Sequence, residues 1–250
     1  MATCKNCGKQ LILQGGKCIH CRASPNLPTQ QAIRQSKPIV QRRTFSSRQK
    51  SVEDLKIKVT SPNYDDIGKI LTQLSVRYVS FDGNYDCDIL FLNCGTGDSI
   101  DAVQLRNYVE KGGLLYASDL TSKHIIEAWP DLMTVNNNTV PCTIRAKIVD
   151  PDLRQYLGST IDVEFDMGVW SKVVGQSKGK ILMQSAEEGF PIMLEFSLGQ
   201  GKVFYTSFHN HAQTDEAEKK LLQLLVIKQV SSATKQDFRK TVASMPVSFN

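Results

Sequence analysis

Four cysteines at the front of the chain constrain its folding more than any other feature. They are spaced C-x2-C-x10-C-x2-C: Cys4 and Cys7, then Cys18 and Cys21. Two residues between the cysteines of a pair let both thiolates face one ion from a single tight turn. Two such turns complete a tetrahedral shell of four sulfurs, with metal–sulfur bonds near ~2.3 Å for zinc. Gly8 follows the first pair, where a turn commonly requires a positive φ. Gly15-Gly16 predicts a hairpin turn between two short strands, QLIL and KCI. A segment this short cannot bury a stabilising core, so a bound metal has to supply its folding energy. The expectation is one structural Zn2+ ion with no open coordination position. His20 is read as a solvent-facing spectator between two ligands.

Charge divides the chain in the same place. The first acidic residue is Glu53, and residues 1–52 carry ten Lys and Arg side chains. The remaining 20 basic residues face all 25 acidic ones behind it. Residues 23–52 are rich in Pro, Ser and Gln and have little apolar periodicity, which predicts a flexible basic tether. Arg42, Arg43, Arg48 and Lys50 in that tether suit phosphate contacts, and Phe45 suits base stacking. A protein partner fits the front segment as readily as a nucleic acid does. No stretch approaches the ~18 consecutive apolar residues of a membrane span. With no apolar leader after MATCKNCGK, and seven cysteines suited to a reducing compartment, the expected location is cytoplasmic.

From about residue 53 the pattern becomes that of an α/β domain. Residues 57–61, 77–81, 87–94 and 114–118 read as strands. Residues 64–74, with Asn63 as N-cap, and residues 99–113 and 120–129 read as helices. The order β-α-β-β-α-β-α predicts a mostly parallel, doubly wound sheet. Segments 143–149, 160–166, 180–185 and 192–197 alternate like strands and predict an antiparallel extension. A buried strand follows at about 202–207, then a helix over 215–230. The expected organisation is a zinc ribbon at 1–22, a linker at 23–52, the α/β domain at 53–232 and a polar tail at 233–250. Trp129 and Trp170 are read as packing residues, and Cys87 and Cys142 have no spacing with a partner.

Sheets of this kind bind ligands beyond the carboxyl ends of their strands. Those ends carry Asn93, Cys94, Ser118, Asp119, His209 and His211, which form the candidate ligand-binding set. The runs GGLLYAS (112–118) and KVFYTSFHNHA (202–212) resemble two motifs of the class I glutamine amidotransferase-like superfamily, which has a flavodoxin-like fold. The resemblance spans about residues 56–230. It implies that a strand of the GG-LLGI type ends in a nucleophilic cysteine on a sharp strand-to-helix turn, and that a later Phe-His-Pro-Glu motif supplies a His base and its Glu orienter. Here Ser118 stands at the cysteine position and Phe208-His209 matches the Phe-His. Asn210 replaces the proline, His211 the glutamate, and the glycines flanking the nucleophile are absent. The resemblance therefore implies the fold without glutamine hydrolysis. Three functions stay open: a non-catalytic adaptor or regulatory protein, a hydrolase pairing Ser118 or Cys94 with His209, and a nucleic-acid-binding protein acting through residues 1–52.

Overall fold

A computed structural model describes residues 3–15, 17–22, 50–209 and 216–247. The chain divides into two units, Met1–Ser47 and Arg48–Asn250. Most of the tether expected at 23–52 lies outside the described residues, as do Asn210, His211 and Asp215.

In the first unit, β1 (Leu13–Gln14) and β2 (Lys17–Cys18) form an antiparallel hairpin, with Leu13 opposite Cys18 and Gln14 opposite Lys17. Gly15 in the turn has φ 60° and Gly8 in the first knuckle has φ 70°. Both lie in the left-handed region where glycine avoids a Cβ clash.

The second unit contains β3 (Ile57–Val59), α1 (Ile67–Gln73), β4 (Val79–Ser80), β5 (Ile89–Leu92), α2 (Ala102–Glu110), β6 (Leu114–Ser118) and α3 (Ser122–Ala128). Then come β7 (Met133–Asn136), β8 (Cys142–Ile148), α4 (Pro151–Leu157), β9 (Thr160–Phe165), β10 (Lys172–Gln176), β11 (Lys180–Ser185), β12 (Pro191–Leu198) and β13 (Gly201–Thr206). Two helices close the unit, α5 (Glu216–Thr234) and α6 (Phe238–Ser244). Nine strands form one mixed sheet in the order β4-β3-β5-β6-β13-β12-β11-β8-β9. The first five are parallel. From β13 onward each neighbour is antiparallel.

The apolar runs of the central strands follow from burial on both faces. Ile89 and Phe91 join one core cluster and Leu90 and Leu92 the other; Leu114 and Tyr116 separate from Leu115 and Ala117 in the same way. Helix α5 packs against α1, α4 and α6, whereas α2 packs on α3 and β13. Most of the length of α5 is buried, from Leu221 to Val230.

Several elements differ from the sequence expectation. Asn63 is not the N-cap of α1: its side-chain amide donates to the Gly95 carbonyl at 2.6 Å, and Asp66 occupies the cap position. Helix α1 starts later because Asp65 is drawn into the interior. β7 and β10 form a separate two-stranded ribbon, bulged between Val173 and Gly175, and their short irregular pairing left weak alternation. α4 has the deeply buried Leu153 as its anchor, so helical periodicity is faint. Its start is nevertheless encoded by Asp150, whose carboxylate accepts from the Leu153 N–H at 3.2 Å, and by Pro151 in the first turn. Within the segment read as a polar tail, α5 continues to Thr234 and α6 follows. Asp237 caps α6, and its Phe238 and Val242, one turn apart, join the core.

Candidate functional site

β6 lies between β5 and β13, all three parallel, with Ala117 beside Leu92 and Ser118 beside Thr206. The segments that follow these strands therefore emerge at one end of the sheet, bringing Asn93, Cys94, Ser118, Asp119 and His209 into one region. All five are buried.

The sharp turn after β6 falls on Asp119, whose φ is 45°. The residue resembling a turn nucleophile by motif, Ser118, is the last residue of the strand. A non-glycine residue at positive φ costs of order 1–3 kcal/mol and is held by its surroundings. Here the Tyr205 hydroxyl donates to the Asp119 carbonyl at 3.1 Å, and the Ser171 N–H donates to the Asp119 carboxylate at 2.7 Å. The Cys94 thiol donates to the other carboxylate oxygen at 3.7 Å. His209 Nδ1 lies 3.9 Å from that same oxygen, and His209 Nε2 lies 2.9 Å from the Asp166 carboxylate.

Asp65 supplies a second buried carboxylate. It accepts the Ser118 hydroxyl and, at 3.2 Å, the Cys94 N–H. Asn93 ties β5 to the end of β3. Its amide donates to the Thr60 carbonyl at 2.7 Å, and its side-chain oxygen accepts from the Ile67 N–H at 3.0 Å.

Electrostatics follow from this packing. Burial pushes the Asp119 carboxyl up from 3.8 to about 7; the Ser171 N–H opposes the shift, and the nearby charges of Asp65 and Asp166 add to it. Burial, then the Asp119 charge, pushes the Cys94 thiol far above its ordinary value. A thiol in this setting stays protonated and is a poor nucleophile.

A cavity of about 580 Å³ opens beside this network. Its walls are Gly95 and Thr96 after β5, Leu120 to His124 leading into α3, Ile126 and Glu127 of α3, and Val135 and Asn137 around β7. None of the five buried candidate residues forms its wall. His124 does, and among the described residues neither of its ring nitrogens has a hydrogen-bond partner; Nδ1 lies 3.6 Å from the Glu127 carboxylate. Burial, then Lys123, lowers its pKa, which keeps the imidazole neutral near pH 7. The sequence reading missed Asp65, Asp166, Ser171, Tyr205 and His124. Asp65 sat in a doublet read as helix start, and the others carry no local motif.

In the first unit, the Sγ atoms of Cys4, Cys7, Cys18 and Cys21 all lie within 4.8 Å of one another. Cys4–Cys21 and Cys7–Cys18 are 3.7 and 3.9 Å apart. A tetrahedron with ~2.3 Å zinc–sulfur bonds has edges of ~3.8 Å, so the four thiols are arranged to hold one metal ion. The Gly8 N–H donates to the Cys4 carbonyl at 2.8 Å and the Arg22 N–H to the Cys18 carbonyl at 2.7 Å, closing two similar turns. His20 is exposed.

No family model matches the sequence, and no curated protein matches it. Among solved structures, the chain is similar to a β-galactosidase from Bacillus circulans sp. alkalophilus, at 11% identity over 73% of this chain and 31% of that one, with a TM-score of 0.49. The chain thus spans about a third of that enzyme's length. It is also similar to PurLQS from Thermotoga maritima, at 13% identity over 69% of this chain and 99% of that one, with a TM-score of 0.49. A ThuA-like protein from Bacteroides uniformis aligns at 12% identity over 77% and 93% of the two chains, with a TM-score of 0.47. Among the described residues, no helix is long and apolar enough to cross a membrane.

Proposed function

We propose that the chain is a cytoplasmic, non-catalytic adaptor or regulatory protein. A structural zinc ribbon precedes a doubly wound, amidotransferase-like domain that binds a ligand or protein partner without turning over glutamine. One observation carries this reading. The turn residue after β6 is a buried carboxylate, Asp119, with the Cys94 thiol donating to it, while the Ser118 hydroxyl donates to Asp65. Both candidate nucleophiles thus face an acidic side chain, so ionising either one would set a second negative charge beside a carboxylate, which disfavours the thiolate and alkoxide that chemistry would need. The cavity beside them is within the usual size for a small-molecule site.

Treatment of the purified protein with serine- and cysteine-directed activity probes tests the reading. No labelling is expected. Labelling lost in Ser118→Ala or Cys94→Ala, and also in His209→Ala, would establish a hydrolase instead. The contact of His209 with Asp166 favours that second reading, because it provides an oriented imidazole. Binding of nucleic acid through residues 1–52 requires an affinity that falls steeply with salt and vanishes when the segment is deleted. For the metal, elemental analysis is expected to give one zinc per chain, lost in Cys18→Ser.

A further inference from the structure

The hairpin of the first unit has one face turned to the metal and one turned away. Cys18 is fully buried, with its sulfur near that of Cys7. Side chains alternate along a strand, so the residues flanking Cys18 point the other way. Ile19 donates its N–H to the Ile12 carbonyl at 3.1 Å, which continues the register of Leu13 with Cys18 and Gln14 with Lys17. Ile12 and Ile19 therefore stand side by side on the face away from the metal, with Gln14 and Lys17 next to them. They are 49% and 45% exposed; Leu13, which lies opposite Cys18 on the other face, is 49% exposed.

A module this small uses its metal for stability, so three exposed aliphatic side chains contribute nothing to its core. Lys17 stands next to them on this face, and the module's other charged side chains, Lys5, Lys9 and Arg22, are all basic, with no acidic residue before Glu53. Residues 3–22 contain no Phe, Tyr or Trp, so this face lacks the aromatic platform on which nucleobases stack. Aliphatic side chains also give a phosphate backbone nothing to bond. A protein segment combining aliphatic and acidic side chains satisfies both the apolar pair and the positive charge of the module that carries it, Lys17 foremost.

We infer that the Ile12–Ile19 face is a docking surface for an acidic, aliphatic segment of a partner protein. The inference rests on the metal-held module and adaptor role proposed above, and it specifies the partner's chemistry.

The test uses the full chain loaded with zinc, its isoleucine methyl groups isotopically labelled. It is titrated with a short synthetic peptide alternating leucine and glutamate, the same peptide with lysine for glutamate, and oligothymidylate. The Ile12 and Ile19 methyl signals are expected to shift saturably with the glutamate peptide alone. An Ile12→Ser, Ile19→Ser double variant should bind that peptide about tenfold more weakly, while its cobalt-substituted form keeps the tetrathiolate spectrum and so remains folded. Absence of shifts, an equal response to the lysine peptide, a response to oligothymidylate only, or undiminished binding by the double variant overturns the inference. So does shielding of both methyl groups from a soluble nitroxide in the free protein, which would mean that the chain covers this face itself. Failure of the wild-type chain to give the cobalt spectrum removes the metal module, and this surface with it. Probe labelling of Ser118 or Cys94 would remove only the non-catalytic reading of the large unit.

Discussion

The Ser118 hydroxyl donates to the Asp65 carboxylate, joining the end of β6 to the segment before α1 across 53 residues of sequence. Both side chains are fully buried. Replacing Ser118 with Ala removes one of the bonds that compensate Asp65 for leaving water. Ser118→Ala is expected to lower stability by about 1–3 kcal/mol, read as a reduced urea midpoint with an unchanged slope.

Asp119 makes stability depend on pH in the direction opposite to an ion-paired carboxylate. Its folded-state pKa, about 7, exceeds the ordinary 3.8, so the folded protein holds the proton longer than the unfolded chain. The resulting stabilisation is complete below about pH 4 and is lost as pH rises through about 7. Asp119→Asn mimics the protonated form. Relative to it, the natural chain should lose on the order of 4 kcal/mol between pH 4 and pH 8. Chemical denaturation of both proteins across that range checks this; parallel curves would refute it.

Cys94 is buried and its thiol is kept protonated, whereas a thiolate is needed for alkylation. Iodoacetamide at pH 8 should modify Cys94 at the rate of global unfolding. Peptide mass mapping over time, with and without denaturant, measures this. Rapid native-state modification would contradict the burial described here.

Gly201 opens β13 where it enters between β6 and β12. A Cβ there would lie 2.1 Å from the Val109 carbonyl oxygen and 2.3 Å from that of Gly113. Both are backbone atoms and cannot swing aside. Gly201→Ala is expected to cost about 3 kcal/mol or more, in the upper range for single substitutions. A thermal melt close to that of the natural chain would show that the α2–β13 approach is looser.

The cysteine module was legible because ligand spacing is local, and Gly8 carried its turn requirement in plain sight. The parallel strands were legible because double-sided burial writes continuous apolar runs such as Ile89–Leu92. The buried polar network was not. Asp65 and Asp166 take their meaning from partners far away in sequence, and a short window holds no trace of them. The motif comparison drew attention to Ser118, yet the strained turn is one residue later, a difference visible only in the backbone dihedral. Helix α6 escaped notice because two anchoring residues, Phe238 and Val242, are too few to set a period.

β13 is the seam where the parallel half of the sheet meets the antiparallel half. During synthesis, β3 to β6 leave the ribosome on the order of 80 residues before Gly201. Until β13 arrives, Leu-Leu-Tyr-Ala-Ser is an open edge whose side chains are apolar on both faces. That is the kind of edge to which other chains adhere. A nascent or truncated chain ending before β13 should therefore be a client for chaperones, whereas the finished protein conceals the strand completely.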